Sequence, residues 1–246
     1  MTILITGGGS GIGAATARRL SQWSAVVVAD RNKAAADEVA REIIADGRKA
    51  FAVEVDVSSS ASVKAMLEHL PAEARQIQGL FNNAGINVRQ RIDEITEDGW
   101  DAVIATHVKG VLLVSQAVLP QMLARGRGVV VNTASDYAVI GVPGLAAYCA
   151  AKTAIYSMTK AMAVEFTAKG VRVNAVGPGP IDTPLLRAGR SPEEGAARLD
   201  LHRPKIPMKR LGRPEEVAAV VDFLMSDRSS YIAGQLLQPN GGLVVW

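Results

Sequence analysis

The stretch Thr6-Gly7-Gly8-Gly9-Ser10-Gly11-Ile12-Gly13 stands between an apolar run, Ile3-Leu4-Ile5, and an Ala-rich segment with helical periodicity over about 11–22. A short, fully apolar run is what a buried parallel strand requires. Strand, glycine turn and helix in that order form a context for binding phosphate. Glycines let the backbone approach an anion with no Cβ in the way, and the helix start offers unpaired N–H groups and partial positive charge. The spacing Gly7, Gly11, Gly13 departs from the Gly-x-Gly-x-x-Gly dinucleotide fingerprint, whose last glycine position holds Ile12. A merely tight turn is the competing reading; glycine density and context favour phosphate.

Working outward, a second strand over 25–29 ends in Asp30, 17 residues after Gly13. A carboxylate about 20 residues past the turn accepts hydrogen bonds from an adenosine ribose. It would repel a 2′-phosphate, which favours NAD over NADP. Arg31 is the counter-signal, because an arginine can accommodate that phosphate. The other reading of Asp30 is a helix N-cap. Strand and helix patterns then alternate: helix 33–46, strand 50–55, helix 60–70, strand 79–81, helix 96–125, strand 128–132, helix 145–169, strand 171–176, helix 214–226 and strand 236–238. Such alternation predicts a doubly wound parallel α/β sheet of about seven strands with helices on both faces, and ligands at the carboxyl ends of the strands. Asn82-Asn83-Ala84-Gly85 and Gly177-Pro178-Gly179-Pro180 fall at such ends. The former suits close approach to a ligand or a plain turn.

Tyr148-Cys149-Ala150-Ala151-Lys152 opens the helix at 145–169. Four residues are about one helical turn, so Tyr148 and Lys152 share a face. A phenol alone titrates near pH ~10, and an ammonium beside it favours the phenolate. Lowering that pKa by two units needs roughly 2.7 kcal/mol, and the result is a proton carrier near neutral pH.

In order and approximate spacing, Thr6-Gly7 to Gly13, Asp30, Asp56-Val57, Asn82 to Gly85, Ser135, Tyr148, Lys152 and Pro178-Gly179 resemble the classical short-chain dehydrogenase/reductase family over essentially the whole chain. The resemblance implies one Rossmann-like domain, residues 1–246, and hydride transfer between a nicotinamide dinucleotide and a secondary alcohol or ketone. Ser135, Tyr148 and Lys152 would be catalytic. Gly7, Ser10, Gly11, Ile12, Gly13, Asp30, Arg31, Asp56, Val57, Asn83, Ala84, Gly85, Tyr148, Lys152, Pro178, Gly179, Ile181 and Thr183 would hold the cofactor. Asp56 and Val57 would lie near adenine, and Ile181 and Thr183 near the nicotinamide carboxamide. One departure stands out. Where many members have an Asn that holds a water in the proton relay, this chain has His107, in His107-Val108-Lys109-Gly110. Imidazole can also hold a water, or His107 is a buried core residue. The family's segment after Pro178-Gly179 covers the substrate. Here that segment, about 183–213, carries Arg187, Arg190, Arg198, Arg203 and Lys205 against Glu193, Glu194 and Asp200. With Arg89 and Arg91 these charges admit an anionic substrate, although a solvated surface is the favoured reading.

Composition narrows the alternatives. Hydrophobic residues make up 48% and charged residues 21%, as in soluble globular proteins. A net charge of +3 is too small and dispersed to suggest nucleic acid. The single Cys149 forms no internal disulfide and fits a reducing, cytoplasmic setting. The longest charge-free runs, such as 110–124, fall short of a bilayer span, and no membrane partner or metal is expected. Helices 100–123 and 147–167, apolar beyond one face, predict a homotetramer. Two rivals remain: an NADP-dependent 3-oxoacyl-type ketoreductase and a non-enzymatic dinucleotide-binding protein.

Overall fold

The structure, a computed structural model, describes residues 1–187, 193, 199 and 201–245. Seven parallel strands form one sheet in the order β3-β2-β1-β4-β5-β6-β7. They are β1 (Thr2–Thr6), β2 (Ala25–Asp30), β3 (Ala50–Glu54), β4 (Ile77–Asn82), β5 (Gly128–Thr133), β6 (Val171–Val176) and β7 (Leu236–Leu237). The strands are apolar on both sides because helices cover both faces. Ile3, Ile5, Val26 and Val28 pack with α1 (Gly11–Leu20), α2 (Lys33–Ala45) and, at the far end of the chain, Pro214–Met225. Leu4 and Val27 face the other way, toward α3 (Ser60–His69), α5 (Gly110–Ala124) and α6 (Ala146–Phe166). Between α3 and α5 lies α4 (Glu97–Ile104). A short α7 (Pro184–Arg187) follows β6, and Pro214–Met225 is α8.

The strand order reverses between β1 and β4, so the turns leaving those strands sit side by side. That is the crevice where open α/β sheets bind ligands. The approach is close. A Cβ on Gly7 would lie 2.8 Å from the Ala84 Cα, and one on Gly13 would lie 2.0 Å from the Gly7 carbonyl oxygen. Asn83 stitches the turns together, donating from Nδ2 to the carbonyls of Thr6 at 3.2 Å and Gly7 at 3.1 Å.

The expected helix 96–125 is interrupted. Ala105–Lys109 is a π-helical turn between α4 and α5, and it carries His107. The apolar pattern runs on through it, which is why the sequence reads as one helix. The merged helix 97–124 is long and apolar enough to cross a membrane by length and composition, contrary to the reading of its charge-free run alone. Its hydrophobicity is used in packing on the sheet, where Val114, Val118 and Met122 are fully buried. Of the expected covering segment, Arg190, Glu194, Arg198 and Asp200 lie outside the described residues.

Candidate active site

Two adjoining cavities open at the carboxyl ends of the strands. The outer cleft is bordered by the glycine turn, the ends of β2 and β3 and the turn after β4: Gly7, Ser10, Gly11, Asp30, Arg31, Asp56, Val57 and Ala84 are all on its wall. The inner cavity is bordered by His107, Ser135, Tyr148, Lys152, Pro178, Gly179 and Ile181. Ile12, Asn83, Gly85 and Thr183 face both. Of the residues expected to bind cofactor, Gly13 alone borders neither; its place against the Gly7 carbonyl makes it a packing residue of the turn.

The outer cleft fits a dinucleotide. Gly7 (φ 62°) and Gly11 (φ 50°) adopt the left-handed conformation that side chains disfavour. Ser10 is the α1 N-cap residue, yet its hydroxyl caps no helical amide, so it is free toward the cleft. Asp30 is not the cap of α2, which corrects one of the two sequence readings. Asn32 takes that role, accepting from the Ala35 amide at 3.2 Å. Asp30 instead bridges two turns: Oδ2 accepts from the Gly9 amide and Oδ1 from the Asn32 amide, both at 2.9 Å. Asp56 accepts from the hydroxyl and amide of Ser58, which hold its pKa below the ordinary value.

In the inner cavity, α6 presents Tyr148 and Lys152 on one face, with Nζ 5.4 Å from the phenol ring centroid. Lys152 is 3% exposed and donates to the Thr133 carbonyl at 2.7 Å. Burial lowers its pKa to about 7. The phenol of Tyr148 behaves opposite to the sequence expectation. Burial, then the Asp136 carboxylate, push its pKa well above the usual value, while Ser135 pulls it down. The lysine does not reverse this, because burial brings its own pKa to about 7 and its charge is readily lost.

His107 is 1% exposed, and burial followed by the nearby Lys152 charge holds its pKa down at about 3. Its ring is therefore neutral at physiological pH. Nε2 lies 2.7 Å from the Ile86 carbonyl and 3.2 Å from the Ile86 amide. The shorter contact makes Nε2–H the donor, which leaves Nδ1 as an acceptor; Nδ1 is buried without a partner. The ring also meets Tyr148 edge-on at 5.4 Å.

Several wall residues escaped the sequence reading: Asp136, Tyr137, Asn87, Leu145, Leu185 and Leu186. Asp136 had a signal, an acid directly after the serine that follows an apolar strand. The leucines had none, because an apolar residue in a short segment beyond a strand is unremarkable until that segment is seen to border a cavity. Of the arginines raised as anion partners, Arg89, Arg91 and Arg187 border neither cavity. Arg91 pairs with Asp93 at 2.7 Å, Arg187 with Asp182, and Arg89 donates to the Pro143 carbonyl at 3.0 Å. Among the described residues no group of three or more His, Cys, Asp or Glu is placed to hold a metal ion.

Comparison with known proteins agrees with this geometry. The family profile described as enoyl-(acyl carrier protein) reductase matches residues 7–244. A cyclohexanol dehydrogenase of an Acinetobacter species is 41% identical over 240 residues, covering 97% of this chain and 92% of the relative. A 3-oxoacyl-(acyl-carrier-protein) reductase of Thermotoga maritima is 40% identical over 243 residues, covering 98% and 97%. The crystal structure of a gluconate 5-dehydrogenase from Burkholderia cenocepacia, in complex with NADP and tartrate, superposes with a TM-score of 0.91 at 35% identity, covering 98% of this chain and 94% of that one. A seven-stranded parallel sheet, a glycine-lined switch-point cleft and these whole-length likenesses lead to one conclusion: the chain belongs to the classical short-chain dehydrogenase/reductase family and is an oxidoreductase acting on CH–OH groups.

Proposed function

We propose that this enzyme is an NAD-preferring dehydrogenase of small, uncharged secondary alcohols, working through Tyr148, Ser135 and Lys152. The observation that carries the reading is the convergence of those three side chains on one cavity that opens into the glycine-lined cleft. A nicotinamide dinucleotide bound in the cleft supplies the hydride acceptor or donor and, when oxidised, a positive charge. Ser135 holds the substrate oxygen. Tyr148, whose phenol burial keeps protonated, gives that proton to the substrate oxygen in reduction; in oxidation it would take the hydroxyl proton as a phenolate, favoured by the positive charge of the oxidised cofactor. Lys152, with its pKa near 7, carries a proton on or off at little cost close to the phenol. His107 offers Nδ1 as an acceptor for a water of the relay, the part played by the amide elsewhere in the family.

Substrate size and charge follow from the wall. The inner cavity is about 140 Å³, below the ~300–1,000 Å³ of pockets for drug-sized ligands. Leu145, Leu185 and Leu186 make it largely apolar, and the one cation on its wall among the described residues is Lys152. Asp136 disfavours an anionic substrate. For the cofactor, Asp30 on the cleft wall supports NAD. A 2′-phosphate there would meet its carboxylate, and such like-charge contact costs several kcal/mol. The same reading includes a homotetramer in a reducing, cytoplasmic setting.

The test is turnover of cyclohexanol, the substrate named for the Acinetobacter relative, with NAD⁺ and with NADP⁺, followed by cofactor absorbance. NAD⁺ should give the higher kcat/KM. Asp30→Ala should weaken NADH binding, strengthen NADPH binding and narrow their ratio. Tighter NADPH binding by the native protein, or an unchanged ratio in the variant, would overturn the cofactor assignment. Activity confined to 3-oxoacyl thioesters with NADPH would replace this reading by 3-oxoacyl reduction.

A further inference from the structure

Ser135 makes two hydrogen bonds within its own turn. Its Oγ accepts from the Tyr137 amide at 3.1 Å and donates to Asp136 Oδ1 at 3.0 Å. A serine hydroxyl has one proton and two lone pairs. With the proton directed at Asp136 and one lone pair on the Tyr137 amide, Ser135 has a single lone pair left for the cavity. In this state it can accept from an alcohol O–H, and it donates to a carbonyl oxygen or to the Tyr148 phenolate only by giving up Asp136. A neutral Asp136 reverses this count. A carboxylic acid donates to Oγ, both lone pairs are then occupied, and the serine proton is free to meet a ketone.

We propose that Asp136 is a positioning residue that sets the hydrogen-bond polarity of Ser135: as a carboxylate it readies the cavity for an alcohol, and as a carboxylic acid for a ketone. The proposal deepens the alcohol–ketone reading above and rests on it. Burial makes both states accessible. Asp136 is 1% exposed and its Oδ2 is buried with no hydrogen-bond partner, so nothing but Ser135 and the turn's own amides favours the charge. The carboxyl is raised by that burial to about 6. The ionisable groups that share its cavity are Tyr148 and Lys152 from α6, Tyr137 in its own turn and His107. The loop after β6, Gly177-Pro178-Gly179-Pro180, contributes none.

The sign follows from linkage. Below about pH 6 Asp136 is an acid, the ketone is held and alcohol affinity falls about tenfold per pH unit; above it Asp136 is a carboxylate, the alcohol is held and ketone affinity falls about tenfold per pH unit. The direct test is an infrared difference titration of the enzyme, wild type minus Asp136→Asn. A carboxylic-acid C=O band should grow as pH falls through about 6 and should shift in Ser135→Ala, which removes the partner. No such band at pH 5, or a band indifferent to Ser135→Ala, overturns the proposal. If Asp136→Asn does not fold, the difference between wild type and Ser135→Ala carries the same test. The kinetic arm measures KM for cyclohexanone and cyclohexanol at saturating cofactor. Their ratio should rise with pH above 6 in the wild type and be flat in Asp136→Asn; a flat wild-type ratio overturns the proposal. If neither compound turns over with either dinucleotide, the small-alcohol reading fails, and the infrared result still decides the role of Asp136.

Discussion

At the scale of single residues, His107 puts a ring where the family usually places an amide, and Gly85 is the space that ring needs. A Cβ on Gly85 would lie 2.5 Å from His107 Cε1. Gly85→Ala should therefore overpack the site, costing about 1–3 kcal/mol in denaturant unfolding. In a His107→Asn background the same alanine should cost clearly less, since the obstructing ring is gone. Equal costs in both backgrounds would show that the ring is not the obstacle. Tyr148→Phe should fold, bind cofactor and lose about 10²–10⁴-fold in kcat, because its phenol oxygen is the proposed proton carrier. Near-full activity would remove Tyr148 from the mechanism. The Tyr–Lys pair was legible from spacing alone, since one helical turn dictates a shared face. The direction of the tyrosine pKa was not legible. It depends on burial and on Asp136, and neither is encoded in the distance between Tyr148 and Lys152 along the chain.

At the scale of elements, a chain of buried amides sets α6 on the sheet. Asn82 Nδ2 in β4 donates to Asn132 Oδ1 in β5 at 2.9 Å, and Asn132 Nδ2 donates to Thr159 Oγ1 in α6 at 2.9 Å. Thr159 in turn donates to the Ile155 carbonyl at 2.8 Å. Asn82, Asn132 and Thr159 are all at 3% exposure or less, so a lost partner leaves a dry polar group. Asn132→Leu should cost about 1–3 kcal/mol for each unsatisfied group it leaves, read from a urea transition. Combined with Thr159→Val, the total should fall short of the sum by at least ~0.5 kcal/mol, because the two share a bond. Additive costs would mean that the network does not tie α6 to β5. The adjacent asparagines at 82 and 83 read alike in the sequence. Strand alternation separates them: one points into the core, while the other turns out to bridge the β1 and β4 turns.

At the scale of the molecule, the helices on the α5–α6 face keep apolar residues in the open. Val164 is 86% exposed, Leu112 43% and Trp100 37%. The proposed homotetramer buries such surface. Val164→Asp should weaken assembly, giving smaller species in sedimentation velocity at micromolar concentration while the fold, read by circular dichroism, persists. A native protein that sediments as a monomer would end the tetramer proposal.

What the sequence by itself determined is the order of strands and helices, the parallel sheet and the glycine turn. Each rests on local physics: apolar runs of strand length, helical periodicity, and glycine where the backbone must come close. It also placed Ser135, Tyr148 and Lys152 at strand ends and on one helix face. Tertiary structure alone decided the rest. The reversal between β1 and β4 put Asn83 on the glycine turn, 76 residues apart along the chain from Gly7. Packing inserted a π turn under His107, used Gly13 as a spacer, gave the α2 cap to Asn32 and left Asp30 bridging two turns. Burial moved the titration of Asp136 and Tyr148 up and that of Lys152 down. These are consequences of which atoms exclude water from which others, and that is settled only when distant segments meet.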